Sequence, residues 1–124
     1  MADKIVNINN LSNFLPNPIR ARWCVSFFSR LRGFMFRKQL DEDEGLVLVE
    51  RRDSRMDTSI HMLFVWTDLA VVWINTEGEV VDTVLARAWR PFYAPSKPAR
   101  YTLEMHPGRL GEFNIGDKVE FIDA

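Results

Sequence analysis

The sequence predicts a single domain over residues 1–124 with a mostly β fold. We expect a small β-barrel or sandwich with one α-helix in the N-terminal half and short helical turns. The length of 124 residues fits one domain. The apolar fraction of 47% and the charged fraction of 27% are typical of a globular protein. Short apolar segments rich in β-branched and aromatic residues recur between turn residues, which favours short strands.

The first 40 residues contain the predicted helix. Alternating apolar and polar residues predict a strand over residues 4–10, and Pro16 and Pro18 predict a loop over residues 13–18. Apolar residues at helical spacing then predict an amphipathic helix of about three turns, which Gly33 weakens or ends. Its predicted apolar face consists of Cys24, Phe27, Phe28, Leu31 and Phe34 or Met35.

The remainder of the chain predicts strands that are joined by turns and one long loop. Apolar runs rich in β-formers predict strands over residues 46–49, 60–66, 69–74, 79–85, 101–105 and 118–122. Residues 51–57 are charged and predict a loop, and turn residues over 75–78 predict a hairpin. Residues 86–100 contain three prolines and form the longest irregular segment, and such loops are often functional. A loop or helical turn is expected after Pro107.

The sequence favours a location in the cytoplasm. Cys24 is the single cysteine and cannot form an internal disulfide, which fits a reducing compartment. Residues 1–8 contain one lysine and no long apolar run, so we expect neither a signal peptide nor a membrane anchor. No apolar stretch approaches the roughly 20 residues that a transmembrane helix needs. We therefore expect no contact with a membrane.

Charge is distributed unevenly along the chain, although the formal net charge is −1. Residues 1–40 contain seven basic side chains and one acidic one, whereas residues 41–124 contain nine basic and sixteen acidic ones. Either the two parts pack together and neutralise each other, or the basic residues form a stripe that faces an anion. The acidic run over residues 41–44 follows directly and would screen such a stripe. Nucleic acid is therefore not an expected partner.

Five segments in order resemble the DUF192 family, over roughly residues 20–122. The segments are Arg32-Gly33-Phe34-Met35-Phe36-Arg37 with Leu40, Ser59-Ile60-His61-Met62, residues 69–81 with Gly78 at the turn, Pro98-Ala99-Arg100-Tyr101-Thr102-Leu103-Glu104, and Gly116-Asp117-Lys118-Val119. The family is a domain of unknown function, so the resemblance implies a fold and implies no reaction.

The sequence departs from the family pattern at position 70. The family usually has Pro-Leu-Asp or Pro-Ile-Asp where this chain has Asp68-Leu69-Ala70. Residues two apart on a strand share a face, so we expect Asp68 to present an acid on the face of the missing one, about 7 Å along the strand. A family site that used the acid at position 70 would be lost or displaced here.

Metal and cofactor chemistry has little support in the sequence. His61, His106 and Cys24 show no short metal-ligand spacing such as H-x-x-x-H or C-x-x-C. No G-x-S-x-G nucleophile motif and no glycine-rich phosphate loop is present. We expect no metal, no cofactor and no catalytic residue. His61 lies in an apolar segment and is either a core histidine bonded to a backbone carbonyl or a hydrogen-bonding or general-base residue.

Residues 87–93 form the best candidate for molecular recognition because arginines alternate with aromatic residues there. Arginine suits bidentate contact with anions, and Trp, Tyr and Arg dominate protein–protein contacts. Alternatively, Trp89 and Phe92 plug one end of the domain while the arginines face water. The candidate binding residues are His61, Asp68, Arg87, Trp89, Arg90 and Tyr93.

Three interpretations of function follow from these residues. The first is a non-catalytic binding module whose barrel mouth, lined by residues 86–93 and the strand of His61, holds a small anionic or polymeric ligand. The second is a structural, oligomerisation or protein-interaction domain, with the same aromatic residues buried in a contact with a protein partner. The third is a hydrolase-type enzyme that uses His61 with Asp57 or Asp68.

Overall fold

The computed structural model describes residues 4–124, without the side chains of Phe27 and Phe28. The prediction that these two side chains lie on the apolar face of the helix therefore falls outside the described residues. The same holds for residues 1–3, where we expected no signal peptide. The seven strands are β1 (Lys4–Asn10), β2 (Arg20–Cys24), β3 (Glu44–Ser54), β4 (Leu69–Ile74), β5 (Val80–Ala86), β6 (Ala99–Met105) and β7 (Val119–Asp123). Helix α1 comprises Phe27–Arg32, and a 3₁₀ helix comprises Pro107–Glu112. Over residues 4–124, neither helix has the length and apolar character needed to cross a bilayer.

All seven strands belong to one sheet in the order β5-β4-β6-β3-β2-β1-β7. β2 and β3 pair in parallel, and the other neighbours pair antiparallel. The two edges of the sheet meet at one antiparallel bridge between Glu79 and Lys118. Within residues 4–124 the edges share no continuous ladder. The prediction of a mostly β fold is confirmed, and the sheet is not a closed barrel.

The sheet buries apolar side chains on both of its faces. Each residue of β4 is buried, and successive residues alternate between two cores, as strand geometry requires. The first core includes Val6, Ile8, Val47, Ala70, Val72, Ile74, Leu103, Met105 and Val119. The second core includes Cys24, Phe34, Leu46, Ile60, Met62, Val65, Leu69, Val71 and Trp73. Irregular segments around residues 34–40 and 60–69 cover the second face. β4, which is apolar throughout, is therefore shielded from water on both faces of the sheet.

The predicted three-turn helix is wrong in length and in its first residue. α1 has six residues, and Cys24 instead ends β2, where it pairs with Leu48. The hydroxyl of Ser26 caps the helix by accepting a hydrogen bond from the Ser29 backbone N–H at 3.1 Å. Gly33 ends it with a positive φ of 46°. Strand pairing with β1 and β3 overrides the helical spacing of Cys24.

Two other predicted boundaries are also wrong. Residues 51–54 were expected in a loop, but β3 continues to Ser54, where it pairs with Ala99. Residues 60–66 were expected to form a strand, yet they form one bridge, between Ile60 and Tyr93, followed by turns. Phe64 has a φ of 62°, which no extended strand accommodates.

The uneven charge along the chain is partly neutralised within the fold. Three ion pairs join basic residues of the first 40 to acidic residues of the remainder: Lys4–Asp123 at 3.1 Å, Arg30–Glu50 at 2.9 Å and Arg37–Glu44 at 2.8 Å. The hydrogen bond from Arg37 lowers the pKa of Glu44 and raises the pKa of Arg37. These pairs support the interpretation that the two parts of the chain neutralise each other.

Candidate functional site

A cavity of about 230 Å³ lies on the face of the sheet that carries the second core. We call it the His61–Glu104 cavity. β3 and β6 form its floor, the segment of residues 30–35 forms one wall, and residues 57–61 form another. The second core contributes the apolar part of its lining, which includes Phe34, Ile60, Val65 and Leu69.

Glu104 is a buried acid on the floor of this cavity. Strand register places it beside Leu46 of β3 and Val71 of β4, which are both fully buried. Glu104 itself is 5% exposed, and its carboxyl forms no hydrogen bond or ion pair with any described residue. Burial raises the pKa of the carboxyl to about 7, because an ionised carboxylate loses its hydration there.

Gly33 brings the turn after α1 close to this carboxyl. A Cβ at position 33 would lie 3.6 Å from the Oε1 atom of Glu104. Gly33 also has a positive φ, which disfavours any other residue. The turn therefore lies close to the Glu104 carboxyl, and the positive φ rather than a lack of space favours glycine at position 33.

His61 contributes a second polar group to the lining. Its Nδ1 atom is buried and has no hydrogen-bond partner among the described residues. One interpretation of the sequence was a core histidine that donates to a backbone carbonyl. Nδ1 forms no such bond with the described residues. Buried polar atoms without partners are rare in folded proteins, so this nitrogen is unusual.

Charged residues surround the mouth of the cavity. Arg30 extends from α1 and donates to Glu50 Oε2 at 2.9 Å and to the backbone oxygen of Val25 at 2.7 Å. Partial burial raises the pKa of Glu50 even though Arg30 opposes that effect. Asp57 also lines the mouth. Among residues 4–124, no three His, Cys, Asp or Glu side chains are grouped closely enough to hold a metal ion.

Five of the six predicted binding residues lie outside the cavity lining, in and beside a segment that pairs with residues 60–62. Asp68 accepts hydrogen bonds from Arg87 Nη1 at 3.0 Å and from the backbone N–H of Ala88 at 2.8 Å. The hydroxyl of Tyr93 accepts one from the Arg87 backbone N–H at 2.9 Å, and the Arg90 guanidinium lies 5.6 Å from the Tyr93 ring centre. These contacts hold residues 87–93 in place beside the start of β4.

Trp89 belongs to an exposed group of rings that we call the aromatic patch. It consists of Phe36, Phe64, Trp66 and Trp89, which are 65%, 44%, 50% and 37% exposed. The ring centres lie 5.4 Å apart for Phe36 and Phe64, 5.1 Å for Phe64 and Trp89, and 4.9 Å for Trp89 and Trp66. Three of the four residues have φ between 62° and 68°, and within residues 4–124 they are the non-glycine residues with positive φ. Such backbone is strained for aromatic residues, so the fold holds these rings at the surface against a local preference.

The two segments predicted to form the barrel mouth are neighbours, since Ile60 pairs with Tyr93 and the Met62 backbone N–H donates to the Arg90 backbone oxygen at 3.0 Å. They differ in whether they line the cavity. His61 lines the cavity, whereas Asp68, Arg87, Trp89, Arg90 and Tyr93 do not. Ala70, where the family pattern has an acid, is fully buried in the first core. The sequence did not single out Glu104, because an acid between apolar residues on a strand is typical of a face turned to water. Its position in the segment that resembles the family was the available signal.

Comparisons with known proteins give a family and a set of relatives. The family model DUF192, "Uncharacterized ACR", matches residues 8–121. The UPF0127 protein of Pyrococcus furiosus is 33% identical over 105 residues, which cover 83% of this chain and 87% of that protein. The UPF0127 protein of Thermococcus kodakarensis is 36% identical over 98 residues, which cover 77% of this chain and 60% of that protein.

Two crystal structures have a similar fold. A protein from Sinorhizobium meliloti superposes with a TM-score of 0.81 at 22% identity, covering 97% of this chain and 94% of that one. A protein of unknown function from Novosphingobium aromaticivorans gives a TM-score of 0.75 at 20% identity, covering 94% and 83%. At this level of identity the likeness shows the shared fold alone.

Proposed function

The chain belongs to the DUF192 family, and we propose that it is a non-catalytic binding module that holds a small ligand in the His61–Glu104 cavity. The observation that carries this proposal is the buried carboxyl of Glu104, which lines the cavity and has no partner among the described residues. A pocket with apolar walls, a few polar groups and a perturbed pKa is the usual form of a small-molecule site.

The size of the cavity supports a small ligand rather than a polymer. Its volume of about 230 Å³ exceeds the roughly 150 Å³ that accommodates benzene in an apolar protein cavity. A ligand of roughly six to ten non-hydrogen atoms would fit on this comparison. The Glu104 carboxyl would give such a ligand a fixed orientation.

A hydrolase that uses His61 with Asp57 or Asp68 has less support. Asp68 is engaged by Arg87 and Ala88 outside the cavity, and no hydrogen bond joins His61 to a carboxylate among the described residues. A general base of that kind needs a carboxylate to orient its ring. We therefore propose binding without catalysis.

A fragment screen by amide NMR tests the proposal. Fragments that bind are expected to shift the amides of residues 30–35, 57–61 and 102–104. Leu48→Trp should abolish these shifts, because Leu48 lines the cavity and a larger side chain would fill it. Leu63→Trp is the matched control, since Leu63 is exposed and does not line the cavity. Fragments that bind Leu48→Trp as well as the original protein would contradict the proposal.

As the alternative, we propose that the aromatic patch joins two copies of this chain. The patch is a large exposed apolar surface, and such surfaces mark interaction sites. Its rim contains the ion pairs Arg37–Glu44 and Arg87–Asp68, so both signs of charge are present. Lys38 Nζ also lies 5.8 Å from the Trp66 ring centre. A surface with an apolar centre and charges of both signs at its rim can pair with itself about a twofold axis.

The oligomeric state tests the alternative. Sedimentation velocity at micromolar concentration should detect a dimer, and Phe36→Ser should dissociate it by placing a hydroxyl at the contact. Phe14→Ser is the control, because Phe14 is 84% exposed and lies outside the patch. A strict monomer ends this proposal and leaves the cavity proposal unaffected.

The proposed location is the cytoplasm. Cys24 is the single cysteine and is buried, so it forms no disulfide within the chain, and this usage of cysteine is common where the compartment is reducing. Recovery of the native protein in the cytosolic fraction of its cells is the expected result. Recovery with the membrane fraction alone would contradict it.

A further inference from the structure

We infer that the ligand of the His61–Glu104 cavity is a small primary amine whose ammonium group lies against the Glu104 carboxylate. This inference rests on the proposed function and narrows it to a class of ligand. It follows from which charges around the cavity are already paired, which are in water, and which are buried without a partner.

Glu104 is the buried charge without a partner. Arg30 is the nearest candidate cation on α1, but its guanidinium is engaged by Glu50 and by the backbone oxygens of Val25 and Val49. A carboxylate accepts hydrogen bonds and cannot donate them, so its complement is a donor, preferably a cationic one. An ammonium group fulfils both requirements.

The Glu104 carboxylate supplies the acceptors for such a ligand. An ammonium group has three N–H donors and no acceptor. An ionised carboxylate has two oxygens with several lone pairs, so it can accept more than one of these donors. Nδ1 of His61 is closed off from the cavity and takes no part in this contact. A carboxylate ligand would instead face a second carboxylate and be repelled.

The charges at the mouth oppose this preference only weakly. The groups that line the cavity or its mouth are Arg30 and Arg32 from α1, Glu50, Arg51 and Arg52 from β3, Asp57 and His61 from the next segment, and Glu104 from β6. Arg32, Arg51 and Arg52 are exposed, so water and salt screen them within about 8 Å. The field of a buried carboxylate is screened much less. The buried Glu104 carboxylate therefore has a stronger effect on the ligand than the exposed arginines, and it favours entry of the cationic end.

The apolar walls define the rest of the ligand. Phe34, Ile60, Val65 and Leu69 surround the space beside the carboxyl. These side chains favour an aromatic or branched alkyl body attached to the amine through no more than one methylene. Benzylamine has this shape, and benzyl alcohol and benzoate are close isosteres that differ in charge.

The test is an amide NMR titration of the protein with benzylamine, benzyl alcohol and benzoate at pH 8. Benzylamine is expected to bind at least about tenfold more tightly than benzyl alcohol, since a hydrogen bond to a charged group is the stronger one. Benzoate is expected to cause no shifts at the cavity. Benzylamine affinity should also rise about tenfold from pH 6 to pH 8, as the carboxyl ionises.

Glu104→Gln should abolish both the preference for benzylamine and its pH dependence, while benzyl alcohol binds with similar affinity. A persisting pH dependence in this variant would assign the effect to His61 and overturn the inference. Glu77→Gln is the control, because Glu77 is exposed and lies outside the cavity, and it should leave the preference intact. The amide spectrum of each variant outside the cavity verifies that it is folded.

Each result decides between the two proposals. Benzoate that binds as tightly as benzylamine, or equal binding of benzylamine and benzyl alcohol, overturns the amine inference and leaves small-ligand binding in place. A lack of cavity shifts with all three probes overturns both. The expected order, with loss of the preference in Glu104→Gln, supports both.

Discussion

Glu104 lies between Leu46 and Val71 in the sheet. An apolar side chain could be buried there without the loss of hydration that an ionised carboxyl suffers. The pKa of the Glu104 carboxyl, about 7, lies above the ordinary value of 4.5, so the folded state keeps the proton that the unfolded state has already lost. Between these two values the folded state binds more protons, and stability therefore falls as the pH rises from about 4.5 to about 7. Above that range the loss is complete and constant. A residue retained at such a cost fits a role in binding.

Replacing Glu104 by Gln should remove this loss. We expect the variant to match the original protein at pH 5 and to exceed it at pH 8 by up to about 3 kcal/mol in the free energy of unfolding. Urea denaturation at the two pH values measures the difference. Glu77→Gln is the control, because Glu77 is exposed and should show no change between them. An equal gap between Glu104→Gln and the original protein at both pH values would contradict the burial of an uncompensated carboxyl.

At the scale of elements, the contact between the two sheet edges depends on one glycine. Gly78 lies in the turn between β4 and β5 and has a φ of 85°. Its carbonyl accepts a hydrogen bond from the Val119 backbone N–H at 2.8 Å. A Cβ there would lie 2.7 Å from the Val119 backbone oxygen. The hairpin turn and β7 can approach each other this closely only because no side chain is present.

Gly78→Ala should therefore destabilise the protein by about 2 kcal/mol or more, through positive φ and the backbone clash. Gly111→Ala is the matched substitution, because no atom lies within 4 Å of the Cβ it would add. We expect it to change stability by less than about 1 kcal/mol, in the stabilising direction. Thermal and urea unfolding of both variants check this. Equal effects would show that the edges of the sheet do not depend on the approach at Gly78.

At the scale of the whole molecule, Arg109 joins three segments that are distant in sequence. It is 4% exposed, and its guanidinium forms two hydrogen bonds with Glu112, at 2.6 and 3.0 Å. It also donates to the backbone oxygens of Glu42 and Asn17, at 2.6 and 2.7 Å. The planar fork of arginine makes these contacts simultaneously, which lysine cannot do.

Arg109→Lys should cost about 3 kcal/mol of stability, since it leaves buried acceptors without donors. Arg87→Lys is the control, because Arg87 forms an exposed pair with Asp68 whose loss should cost less than about 1 kcal/mol. Urea unfolding measures both. A loss below about 1 kcal/mol for Arg109→Lys would show that these three segments are held together by other contacts.

The sequence by itself determined the mostly β class, the strand at residues 4–10 and the β4–β5 hairpin. Those features depend on local alternation and turn chemistry, which neighbouring residues set. Tertiary structure decided that Cys24 lies in a strand, that β3 continues to Ser54, and that Glu104 is buried rather than in water. Each of these depends on which distant strand pairs with the segment or which loop covers it, and no local pattern encodes a contact between residues so far apart in the chain.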